Sequence, residues 1–180
     1  MLLDLNKLHG LREHVERTVQ PSALGPDDPD YRLVAPIELW MDVRRVGADA
    51  FEATGHVKTR LELSCGRCLE PFDIAVDTAF DLRYVPQPTA EADTGPEERE
   101  IEEDDLTTAY YSDGQLDIAD LLREQFQLAL PMKPLCSDAC RGLCALCGAN
   151  LNRTQCECAP AWEDPRLALL KSLLNRPKEN

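Results

Sequence analysis

Six cysteines fall within PLCSDACRGLCALCGANLNRTQCEC, residues 134–158, after a long interval without one. The other two, Cys65 and Cys68, lie in SCGRCLEP. Thiols gathered this closely, with almost no apolar periodicity around them, leave three outcomes: disulfide staples, a dithiol redox site or a metal site. The chain has 180 residues, enough to bury a core without cross-links. Its first residues, MLLDLNKLHGLREHVE, carry acids and lack the apolar run of a secretory leader. No window approaches the roughly 18 uninterrupted apolar residues of a membrane span. The expectation is therefore a cytoplasmic chain, and in a reducing compartment clustered cysteines are ligands or redox groups before they are disulfides.

The spacing is Cys136-x3-Cys140-x3-Cys144-x2-Cys147-x8-Cys156-x-Cys158. Its most telling fragment is CALCG, Cys144 to Gly148. Two cysteines two apart turn both sulfurs toward one point, and the following glycine accommodates the positive φ that such a knuckle uses. Two thiolates need two more to close a tetrahedral site, so a structural four-cysteine zinc site is expected. Cys136, Cys140, Cys144, Cys147, Cys156 and Cys158 are all candidate ligands. Spacing leaves open which four act, whether six form a binuclear cluster, or whether Cys65 and Cys68 join to make two four-cysteine sites. A redox CxxC belongs at a helix N-terminus, which depresses its pKa. Strand-like flanks around Cys65 and Cys68 make a dithiol oxidoreductase the weaker alternative.

Upstream of the cluster the pattern has period two. Ile37, Leu39, Met41 and Val43 alternate with polar residues, as do Phe51, Ala53, Val57, Thr59, Leu61 and Leu63, with an irregularity expected near Gly55. Phe72, Ile74 and Val76 follow, then Phe80, Leu82 and Tyr84 in a shifted register. Such alternation buries one face of a sheet, and short connections predict antiparallel neighbours with Cys65 and Cys68 at a hairpin tip. LDLNKL reads as a short strand and LHGLREHVERTV as a helical turn or two. Asp117 is a good N-cap, and Ile118, Leu121, Leu122, Gln125, Phe126 and Ala129 form one stripe of an amphipathic helix over about 117–130, ended near Pro131. A second helix is expected from Asp164 and Pro165, with Leu167, Leu170, Leu173 and Leu174 inward.

The expected class is α+β: an antiparallel β-meander or partly closed barrel-like sheet, a packed amphipathic helix and a small C-terminal zinc-binding module. The expected division is a β-rich domain, 1–130, with an acidic loop over 86–109, and a Cys-rich module with its helix, 131–180. The formal charge is −14, which disfavours bare attraction to phosphate backbones and favours a basic protein partner. From Glu91 to Asp120 there are twelve acids and one base, Arg99, a composition expected to be solvated and mobile or to attract a basic surface. From Met132 onward the balance reverses, and Arg141 and Arg153 flank the knuckle where they can meet phosphates. His9, His14 and His56 lack H-E-x-x-H or triad context, and no phosphate-binding glycine loop occurs. A closed four-cysteine zinc has no open coordination position. The expectation is a non-enzymatic protein.

LELSCGRCLEPF, then LDIADLLREQFQLALPMKPLC, CRGLC with CGANLN, CEC and DPRLALLKSLL resemble, in that order, the bacterial YceD family. The CxRCL hairpin matches Cys65, Arg67, Cys68 and Leu69. The helix end matches Leu128 to Pro131, and the CxGLCxxCGxNLN run matches Cys140 to Asn152. The likeness covers about residues 30–175. Members are large ribosomal RNA subunit accumulation proteins, formerly a domain of unknown function described as metal-binding. The resemblance implies ribosome biogenesis: support of large-subunit rRNA accumulation, through a ribosomal protein, the pre-ribosomal large subunit or rRNA itself.

Overall fold

The computed structural model describes residues 1–8, 12–26, 28–87 and 107–158. The acidic run Glu91–Asp105 and the helix expected from Asp164 lie outside these residues.

The alternating segments form strands β1 (Leu2–Asp4), β2 (Arg12–Val19), β3 (Arg32–Leu33), β4 (Ile37–Arg45), β5 (Phe51–Ser64), β6 (Pro71–Pro86), β7 (Thr108–Tyr111) and β8 (Gln115–Asp117). Helix α1 spans Ile118–Ala129. β4, β5 and β6 are antiparallel neighbours, as their short connections require. The main sheet runs β2-β4-β5-β6-β7, with β3 also against β5, and β1 pairs β8 in a separate ribbon. Among the described residues neither sheet closes on itself, so the fold there is mostly open β-sheet with one α-helix rather than a barrel. One pairing departs from the all-antiparallel expectation: β7 runs parallel to the end of β6.

Three local expectations are corrected. Residues 12–19 are an edge strand, not helical turns. Only Val15 and Val19 are buried there, and a spacing of four places two residues on one face in either geometry. Arg17 occupies the intervening position opposite Leu39, which breaks the alternation that marks a strand. The register of β6 does not shift: pairing with β5 is continuous from Phe51↔Tyr84 to Ser64↔Pro71. Thr78 on the inward face interrupts the apolar sequence without interrupting the ladder. Nor is there an irregularity at Gly55, which sits in unbroken register with Met41 and Phe80.

Gly55 is there because the space is taken. A Cβ would lie 2.6 Å from the Trp40 carbonyl oxygen and would collide with the Phe80 ring. Gly55→Val should therefore cost about 3 kcal/mol, the upper part of the overpacking range. A urea midpoint that falls with an unchanged slope would show it; an unchanged midpoint would mean that the strands part more easily than this packing implies.

α1 begins as its sequence requires. The Asp117 side chain accepts from the Ala119 N–H at 2.8 Å, and Asp120 lies in the first turn, favoured by the helix dipole. Ile118, Leu121, Leu122, Gln125 and Phe126 are buried. The apolar members of that stripe join Ile37, Leu39, Met41, Val43, Val57 and Leu61 in one core. A second, smaller buried cluster contains Cys65, Cys68 and Cys140.

Candidate metal centre

The β5–β6 hairpin ends in a tight turn at Cys65–Glu70. The Cys65 N–H donates to the Glu70 carbonyl at 2.9 Å, and the Leu69 N–H to the Cys65 carbonyl at 2.9 Å. The same two bonds recur in the second doublet: Cys144 N–H to Ala149 carbonyl at 2.8 Å, and Gly148 N–H to Cys144 carbonyl at 2.9 Å. Gly148 has φ 72° and Leu69 φ 60°. The two turns are thus the same knuckle, and the residue after the second cysteine takes the left-handed conformation in both. Glycine does so freely at 148, whereas the leucine at 69 adopts it against the preference of a residue with a Cβ.

The eight thiols fall into two quartets. Cys65, Cys68, Cys136 and Cys140 form one, and Cys144, Cys147, Cys156 and Cys158 the other; within each, all four sulfurs lie within 4.8 Å of one another. The six clustered cysteines are therefore divided. Cys136 and Cys140 leave their sequence neighbours and meet the hairpin tip, while both members of the CxC face the Cys144 knuckle. None of the eight is in a disulfide.

The first quartet is assembled by contacts between distant segments. The Gly66 N–H donates to the Pro134 carbonyl at 2.8 Å, and the Leu143 N–H to the Arg67 carbonyl at 3.1 Å. The Arg67 guanidinium donates to the Cys140 carbonyl at 2.9 Å and the Asp138 carbonyl at 3.3 Å. Gly142, at φ 74°, lets the backbone pass: a Cβ there would stand 3.0 Å from the Arg67 carbonyl oxygen. Glu70 then ties the two knuckles together, accepting from Asn150 at 3.2 Å and Arg153 at 2.8 Å. The Asn152 amide donates to the Cys140 sulfur at 3.3 Å. Spacing alone did not single out Glu70, Asn150 or Asn152. Arg153 spends its charge on Glu70, whereas the Arg141 side chain has no hydrogen bond or ion pair among the described residues.

These donor sets fit a zinc ion. Four sulfurs each about 2.3 Å from zinc at tetrahedral angles stand roughly 3.8 Å apart. Cys65 and Cys140 are 3.8 Å apart through their sulfurs, and Cys68 and Cys136 3.7 Å; a disulfide needs about 2.05 Å. The electrostatics point the same way. Backbone N–H groups of Cys136 and Cys68 bring the Cys65 thiol down to about 6, and those of Cys147 and Leu146 bring Cys144 down to about 6. Cys136, hydrogen-bonded to Cys140, is pushed up to about 12, and Cys158, against Cys147, also to about 12. Each quartet stabilises part of its set as thiolate, and like charges then hold the rest protonated. A divalent cation is what would let all four ionise.

The family model described as large ribosomal RNA subunit accumulation protein YceD matches residues 53–174, a span that includes both quartets. The chain belongs to the YceD family. Among curated proteins it is similar to a large ribosomal RNA subunit accumulation protein YCED homolog 1, chloroplastic, of Arabidopsis thaliana, 28% identical over 77% of this chain and 48% of that protein. The protein of the same description from Zea mays is 30% identical over 69% of this chain and 49% of that protein. The chain thus matches about half the length of these YceD relatives. No solved structure matches it.

Proposed function

We propose that this YceD-family chain is a non-enzymatic ribosome-assembly factor that supports accumulation of large-subunit rRNA by binding a basic ribosomal protein or the pre-ribosomal large subunit. The observation that carries this is the family match across residues 53–174. The charge of −14 favours a basic protein over naked nucleic acid as the direct contact. The proposed setting is the cytoplasm, where the thiols stay reduced.

Zinc belongs to the same proposal. Cys65, Cys68, Cys136 and Cys140 would hold one ion, and Cys144, Cys147, Cys156 and Cys158 a second. A closed four-thiolate set supplies a structural cross-link and no open Lewis-acid position. The first ion would fasten the Cys-rich part, 131–180, to the hairpin of the β-rich part, 1–130.

Affinity capture from cells, with and without ribonuclease, tests the partner. A basic ribosomal protein retained after ribonuclease treatment is expected. Ribosomal proteins that all vanish with the RNA would instead place the contact on rRNA, with Arg141, which has no side-chain partner among the described residues, as the first side chain to replace.

A further inference from the structure

We propose that the outer edge of β6, from Asp73 to Asp81, is a docking strand for an extended basic segment of a partner protein, which adds to the sheet as a further strand. This rests on the proposed function for the partner's basic character and names the surface that receives it.

Among the described residues the edge is long and open. β6 has 16 residues, yet β7 pairs only with Arg83–Pro86. Among the described residues no strand lies against the remainder of that edge. The direction of its backbone groups follows from the bonds that are made. The Arg83 N–H donates outward to the Thr107 carbonyl at 2.8 Å, and the Gln87 N–H outward to the Tyr111 carbonyl at 2.9 Å. Alternate residues of a strand point their N–H and C=O the same way. Asp73, Ala75, Asp77, Ala79 and Asp81 therefore present theirs outward, where a ladder can be made.

The same five residues put their side chains on the exposed face of the sheet, so the strand reads acid-alanine-acid-alanine-acid along its open side. Successive carboxylates, four residues apart, stand about 13 Å from one another. Asp77 is already paired with His56 and with Lys58 at 3.2 Å on β5. Asp73 and Asp81 have no hydrogen bond or ion pair among the described residues. Asp73 faces Glu62 across the ladder; Glu62 is itself paired with Arg32 at 2.7 Å, which leaves the Asp73 carboxylate to an incoming cation. Ala75 and Ala79 leave room for the long apolar stems of Lys or Arg. On the opposite face Phe72, Ile74 and Leu82 are only partly buried against the core, and a new strand would cover them with its own apolar side.

The complement is thus an extended segment in which basic residues alternate with apolar ones, held by main-chain bonds with side chains setting preference. The carboxylates also exclude competitors. A second copy of this chain pairing edge to edge would oppose aspartate with aspartate, and phosphate backbones are repelled.

The probe is a synthetic peptide of about ten residues, a usual strand length, with Lys alternating with Val or Thr. Its control has the same composition with the lysines grouped at one end. Fluorescence anisotropy should show the alternating peptide binding at least about tenfold more tightly. Amide exchange should slow at Asp73–Asp81 when it binds. Ala79→Pro removes an outward donor without touching the bonds to β5, and should cost about tenfold in affinity. Asp73→Asn with Asp81→Asn should weaken binding and flatten its salt dependence. Equal binding of both peptides, or binding with no protection at Asp73–Asp81 in the unaltered protein, overturns the edge as the docking strand. Capture of ribosomal proteins decides the proposed function separately: a basic partner recovered equally by the Ala79→Pro chain leaves that function standing and removes this surface.

Discussion

Two zinc ions per chain are the expected result of metal analysis on protein purified under reducing conditions, and losing one should differ in consequence from losing the other. The first quartet joins Cys65 and Cys68 to Cys136 and Cys140, so its ion closes a loop through β6, the acidic segment and α1. A cross-link across a loop of that length removes about 4 kcal/mol of chain entropy from the unfolded state. Cys65→Ser with Cys68→Ser should halve the metal content and lower the unfolding free energy of the whole sheet by that order, read from urea titration. Cys144→Ser with Cys147→Ser should also halve the metal content. It should loosen residues 144–158 yet barely move the sheet transition, because its ion would close only that short segment and none of its thiols belongs to either buried cluster. Metal-free protein whose segment 134–158 remains ordered would sink the zinc assignment.

The sheet was legible because β4, β5 and β6 bury one face and solvate the other, so their period is written in the residues themselves. The edge strand β2 was not, because Arg17 sits where an apolar residue would have revealed the period. The Cys144–Gly148 knuckle could be read from its glycine. Its twin at the hairpin tip was hidden by Leu69, which takes the same backbone conformation without the residue that advertises it. The division of the thiols into quartets lay beyond spacing. Cys140 is closer in sequence to Cys144 than to Cys65, and only the return of the chain through β7, β8 and α1 carries it to the hairpin. Glu70 shows the same limit: its importance comes from Asn150 and Arg153 arriving from 80 or more positions away.

Phe126→Ala should lower the stability of the sheet by about 3–5 kcal/mol, the range for emptying a phenylalanine site in a core. Phe126 is 0% exposed and meets Tyr31 edge to face, with ring centroids 6.0 Å apart. The deletion therefore opens a cavity and removes an aromatic pair at once. Its effect should also separate the two metal sites. α1 leads directly into the segment that delivers Cys136 and Cys140 to the hairpin tip, so the first quartet exists only while the sheet and helix are folded. The second quartet closes within residues 144–158 around its own turn bonds, in the manner of a small zinc knuckle. Titrating the variant with urea beside a chromophoric chelator should release one zinc together with the loss of far-ultraviolet ellipticity, at a lower midpoint than in the unaltered chain. The other zinc should be held past that transition. Simultaneous release of both would mean that the second quartet depends on the sheet as fully as the first. An unfolding free energy within about 1 kcal/mol of that of the unaltered protein would mean that the core collapses around the loss of Phe126.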